Sequence, residues 1–85
     1  MGWYKIFLDG DKIKNIEKVE DSFVGHDASG LGISVFDDDG KETYIDAYEV
    51  ASYNKEFVIA SFDDDKMGRV IEALISDNTV EIMYA

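Results

Sequence analysis

Two aspartate triplets, Asp37-Asp38-Asp39 and Asp63-Asp64-Asp65, come nearest in this chain to a pattern that could do chemistry. Hard cations take several carboxylate oxygens, and a glycine often makes the sharp turn between them. Setting Gly40 as the glycine of an EF-hand loop puts Asp37 and Asp39 on ligand positions, but Val35 falls on the first and Asp46 on the last. Setting Gly68 there instead gives Asp63 and Asp65, then Met67 where an oxygen is needed. Neither triplet is an EF-hand, and no metal site is expected. His26, Asp27 and Ser29 contain the groups of a hydrolase triad, but they crowd one glycine-rich stretch, whereas a triad needs groups delivered from separate elements. Gly30-Leu31-Gly32 lacks the longer glycine fingerprint and the following Lys-Ser or Lys-Thr of a phosphate loop. No nucleophile, base or cofactor motif stands out, so the expectation is a binding protein rather than an enzyme.

The triplets belong to a wider bias, because 19 Asp and Glu against 8 Lys and Arg leave a net charge of −11 on 85 residues. Such a surface repels nucleic acid and anionic membranes and attracts basic protein grooves. The four lysines of residues 1–19 slightly outnumber the acids there, so the negative field belongs to the rest of the chain. An apolar content of 46% with Trp3, five Tyr and five Phe argues for a folded chain despite the charge. The length suits one domain over residues 1–85, with a thin core that makes a homodimer the expected state. Cysteine is absent, no apolar run nears the roughly 20 residues that span a bilayer, and the start resembles no signal peptide, so a cytoplasmic location is expected.

These residues have to be placed by their elements. Trp3 to Leu8 reads as a strand entering a tight Asp9-Gly10 turn, and Ile13, Ile16, Val19 and Phe23 as an irregular second strand, with a short helix as the alternative. Gly25 to Gly32 reads as a loop. Ile33 to Phe36 and Tyr44 to Val50 read as the strands of a hairpin whose turn holds Asp37 to Glu42, and Phe57 to Phe62 as a further strand. Met67, Val70, Ile71, Leu74 and Ile75 share one helical face, which predicts an amphipathic helix over Asp64 to Ser76. Asp63 is placed to cap it, Asp64 and Asp65 favour its dipole, and Asn78 is suited to the left-handed residue at its end. Val80, Ile82 and Tyr84 alternate in a last strand. The expected class is α+β: a mostly antiparallel sheet with one C-terminal amphipathic helix followed by a final strand.

The run from Phe57 to Phe62, the helix ending at Ser76 and the strand Val80-Glu81-Ile82-Met83-Tyr84 together resemble small proteins of Gram-positive bacteria and their phages. Tyr4 to Ile16 is similar to the N-terminal hairpin common among them, whereas Met67-Gly68 departs from their preference for alanine and charged residues. The resemblance implies this fold and a mobile-element setting, with no catalytic residues. In composition the chain is similar to acidic phage-encoded inhibitors of host defence, the anti-CRISPR and anti-restriction proteins that act as DNA mimics. That likeness implies a basic host protein as partner, of the kind that itself binds nucleic acid, met by Asp37, Asp38, Asp39, Glu42, Asp63, Asp64 and Asp65. The alternative reading is an oligomeric sponge for a nucleotide-type signal, with Lys12, Lys14, Lys18 or Arg69 on the anion and Tyr48 as stacking platform.

Overall fold

The computed structural model describes residues 1–84. Its chain order is β1 (Gly2–Asp9), β2 (Lys12–Val19), β3 (His26–Asp27), β4 (Leu31–Phe36), β5 (Glu42–Asp46), β6 (Glu49–Tyr53), β7 (Phe57–Phe62), α1 (Asp64–Ile75) and β8 (Thr79–Tyr84). All strand pairs are antiparallel, in the order β3-β6-β7-β1-β2-β8-β4-β5. The α+β class read from the sequence is therefore the class of the structure, with one helix and a strand after it.

The first hairpin turns at Gly10-Asp11, where Gly10 has φ 61°, the arrangement of a type II′ turn. The second strand is a strand, and its irregularity has a simple cause. The pairing shifts register between Phe7 and Leu8, so Phe7 faces Asn15 while Leu8 faces Ile13. One extra residue in β2 turns Ile13 and Ile16 both inward, which imitates helical spacing in the sequence.

Two expectations about strands are corrected. The segment Gly25 to Gly32 is not all loop, because His26 and Asp27 pair with Val50 and Glu49. More consequentially, Tyr44 to Val50 is not one strand. Glu42–Asp46 pairs with β4 at one end of the ladder, and Glu49–Tyr53 pairs with β7 and β3 near the other. Six strand spacings separate β5 from β6 along the ladder, about 29 Å in a flat sheet. Only Ala47 and Tyr48 join them, and three Cα–Cα steps reach about 11 Å at most. The sheet is therefore rolled, with Ala47 N–H donating to Leu31 O at 3.0 Å and Tyr48 N–H donating to Ser61 O at 2.8 Å where its two ends meet.

Rolling encloses one apolar core. Alternate residues Tyr4, Ile6 and Leu8 of β1, Val58, Ala60 and Phe62 of β7, Leu31 and Ile33 of β4, and Val80 and Ile82 of β8 point into it. Met67 and Val70 of α1 are fully buried against them. The remaining apolar helix residues are less buried than their spacing predicts: Ile71 and Leu74 are half-buried, and Ile75 is 80% exposed. A narrow helix face suffices because the rolled sheet covers most of its own interior. At the helix end Asp77, rather than Asn78, takes the left-handed conformation, with φ 61°. Asp77 N–H donates to Leu74 O and Asn78 N–H to Ala73 O, a Schellman motif. The Asn78 side chain instead donates to Phe36 O at 3.2 Å, tying the helix end to β4.

Glycine tolerates that conformation without strain, and Asp77 adds negative charge at the negative end of the helix dipole. Asp77→Gly is expected to stabilise the fold by about 0.5–1.5 kcal/mol, read as a higher urea midpoint at unchanged slope. A lower midpoint would show that the Asp77 carboxylate holds the cap. Met67→Ala is expected to cost about 2–5 kcal/mol in the same measurement.

Candidate functional site

The carboxylates dominate the surface, and the helix determines where they stand. Asp63 caps α1, its Oδ2 accepting from Lys66 N–H at 3.0 Å. Asp37 opens the β4–β5 turn, its Oδ1 accepting from Asp39 N–H at 3.0 Å and Lys41 N–H at 2.8 Å, with Gly40 at φ 81° completing the turn. β4 ends beside the C-terminal end of α1, where Asn78 reaches Phe36, and Asp63 to Asp65 lie at the N-terminal end. Twelve helical residues span about 18 Å, so the triplets form two separate acidic poles. The sequence groups them as one surface; the structure does not bring them together. Glu42 belongs to the hairpin pole and is engaged there, accepting a hydrogen bond from the buried Ser34 hydroxyl.

Asp64, though exposed, is likewise engaged by the fold. It accepts the Tyr4 hydroxyl hydrogen bond, with Lys18 Nζ at 3.4 Å and the Met1 amino group at 3.7 Å. These neighbours, the Tyr4 hydrogen bond first, hold its carboxyl below the usual range against some burial. The Tyr4 phenol is pushed up to about 12 by burial, then by the hydrogen bond to Asp64 and the charges of Asp64, Asp63 and Glu20. Among the described residues no other carboxylate has a cation within 4 Å. Asp38, Asp39 and Asp65 have neither an ion pair nor a side-chain hydrogen bond, which leaves them free for a partner.

The residues of the anion-binding alternative are dispersed. Lys12 and Lys14 line a cleft with Leu74, Asp77 and Asn78 at the helix C-terminus. Lys18 is on Asp64, and Tyr48 is exposed beside the strand crossing. Arg69 lies elsewhere, in a cleft of about 210 Å³ between α1 and β5 that Lys66 and Val70 share with Val35, Thr43, Tyr44 and Ile45. Lys66 and Tyr44 escaped the sequence reading because 22 positions separate them, with no local signal that the roll brings their elements together.

The His26, Asp27 and Ser29 group forms a local turn. Asp27 Oδ1 accepts from Ser29 N–H at 3.1 Å and Ser29 Oγ at 2.7 Å, which lowers the Asp27 pKa. His26 and Asp27 are adjacent in β3, so their side chains alternate across it. Among the described residues no three His, Asp or Glu side chains converge as a metal ion requires. A further groove runs past Tyr53 and Tyr84, whose ring centroids are 6.3 Å apart, with Asp11 and Lys55 on one side and Asp27 and Ser29 on the other.

The Tyr4–Asp64 pair produces an alkaline signature. Because the folded pKa of Tyr4 lies above the ordinary value of 10.0, the stabilisation is complete below about pH 10 and is lost as pH rises through about 12. Tyr4→Phe is expected to flatten stability against pH over that window, measured by urea unfolding. An unaltered alkaline limb would mean that the hydroxyl does not interact with Asp64 in solution. Asp64 behaves oppositely, since its lowered pKa gives stability that is present above the unfolded carboxylate range and lost as pH falls through the folded value. No family model matches the chain, and neither a curated protein nor a solved structure shows significant similarity to it.

Proposed function

We propose that this is a non-enzymatic protein-binding domain that occupies a basic groove, in the manner of an acidic phage-type inhibitor of a host defence protein. The observation that carries the reading is the lack of internal neutralisation: apart from Asp64, no acidic side chain among the described residues has a cation within 4 Å. A chain of net charge −11 gains little stability from leaving its carboxylates unpaired, whereas a Lys- and Arg-lined partner would neutralise them on contact. Two acidic poles at opposite ends of a helix about 18 Å long, one fixed by a turn and one by a helix cap, present charge at separate places on the surface. Such an array can stand in for phosphates along a nucleic-acid backbone. The sponge alternative loses support, because its four cations and Tyr48 do not share a cleft.

Self-association belongs to the same proposal. The outward residues of β1 and β7 include half-buried Trp3, Phe7, Phe57 and Ile59, with Lys5 Nζ 5.0 Å from the Phe7 ring centroid and 4.4 Å from that of Phe57. The first nineteen residues carry the chain's surplus of lysine, so two copies meeting on this face would repel least. Sedimentation at micromolar concentration should show a dimer that Ile59→Lys converts to monomer. A monomeric parent protein at all accessible concentrations rules the dimer out.

The charge test uses side chains that make no ion pair or side-chain hydrogen bond, Asp65 alone adding a favourable charge at the helix N-terminus. The variant Asp38→Asn/Asp39→Asn/Asp65→Asn should melt within about 5 °C of the parent protein, the difference coming from Asp65 at the helix N-terminus. Its association with a partner captured from host lysate should slow by on the order of tenfold, with dissociation little changed, and added salt should slow the parent in the same way. Unchanged association rates and unchanged cellular activity would assign the charge to solubility alone.

A further inference from the structure

The cleft between α1 and β5 combines three features. It contains two cations without carboxylate partners, although this chain is dominated by acid. Arg69 has Asp65 four residues before it and Glu72 three residues after it, spacings that normally bring ion pairs together on a helix, yet neither carboxylate is within 4 Å. Both Arg69 and Lys66 line the cleft. The cleft wall is an open strand edge: β5 ends the ladder and pairs with β4 alone, so one row of its backbone groups has no strand partner. The floor is apolar, formed by Val35, Ile45 and the fully buried Val70. The backbone of helix α1 packs more against β8 and β2 than against β5, which leaves the gap open.

We propose that this cleft receives the C-terminal end of an extended peptide. The peptide backbone adds to the free edge of β5, its last side chain rests on Val35, Ile45 and Val70, and its terminal carboxylate lies between Lys66 and Arg69. Strand addition supplies main-chain hydrogen bonds, and a paired carboxylate supplies direction and register. A volume of about 210 Å³ suits one aliphatic side chain with its carboxylate, being smaller than the roughly 300–1,000 Å³ of pockets that enclose drug-sized molecules. Glu42 and Asp46 flank the cleft at the two ends of β5, so in either strand direction the upstream residues of the peptide pass one carboxylate and basic residues are favoured there. In that respect the inference rests on the acidic-surface reading and names the segment of the basic partner that is held.

The test measures affinity of the full chain for synthetic peptides by isothermal titration. The probe is acetyl-Lys-Val-Lys-Val as the free acid, compared with its C-terminal amide, with a form N-methylated at the final Lys–Val bond, with acetyl-Glu-Val-Glu-Val acid, and with 3-methylbutanoate alone. The free acid should bind at least tenfold more tightly than the amide and the N-methylated form. The difference between acid and amide should disappear in Lys66→Met/Arg69→Met, whose circular dichroism and melting temperature serve as the control for folding. Equal binding of acid and amide, or an unaltered preference in the double variant, overturns the inference, and binding of the Lys peptides under those conditions leaves the acidic-surface reading in place. Tight binding of 3-methylbutanoate that the peptide does not exceed also overturns it, since the cleft would then be a small-molecule site. If the Glu peptide acid binds as well as the Lys peptide acid and retains its dependence on Lys66 and Arg69, the cleft inference stands and the acidic-surface reading fails.

Discussion

The structure depends on a length constraint at Ala47 and Tyr48. These two residues carry the chain from one end of an eight-stranded ladder to near the other, a span that a flat sheet would make far too wide. The sheet has to roll, and the roll creates the core, since residues from β1, β7, β4 and β8 then share one interior. It also explains how the tilted rings of Tyr53 of β6 and Tyr84 of β8 come together beside a groove, although three strands lie between their own in the ladder. Helix α1 closes one side with little more than Met67 and Val70. The amphipathic helix, so prominent in the sequence, is thus a cover on a sheet that is already curled.

The roll sets the electrostatic layout as well. Because β4 runs alongside the C-terminal end of α1, the Asp37 turn stands near Asp77 at the end of the helix where negative charge is least welcome. The last helical turn carries no basic residue to offset it. At the opposite end Asp63 and Asp64 fulfil local duties, one capping the helix and the other holding Tyr4 and Lys18. The two poles therefore differ in kind. One is carboxylate bound into the fold with Asp65 beside it; in the other Asp37 and Glu42 hold the hairpin, and Asp38 and Asp39 are charge retained near the helix end that disfavours it. A violation of local rules that the fold itself does not require is where function is to be sought.

What the sequence made legible was local. The Asp9-Gly10 turn, the hairpin around Asp37 to Glu42, the Asp63 cap and the final alternating strand each have their signals within a few residues. The break between Asp46 and Glu49 has none: no glycine or proline marks it, and tyrosine, alanine and valine sustain a strand pattern across it. The backbone groups of Ala47 and Tyr48 are satisfied by Leu31 and Ser61, both distant in the chain. The bulge in β2 was visible as a disturbed period, without its meaning. Of the candidate site, the individual carboxylates could be named from the sequence, but their separation into two poles and the meeting of Arg69 with Lys66 and β5 are products of the roll.

The last strand lies in the middle of the sheet. β8 sits between β2 and β4, and it alone joins the five strands β3-β6-β7-β1-β2 to the two strands β4-β5. The ladder therefore stays in two parts, linked only where Ala47 and Tyr48 cross between its ends, until residues 79–84 pair between β2 and β4. Completion of the sheet therefore waits on β8, and until it pairs, the edges of β2 and β4 that it covers stay open.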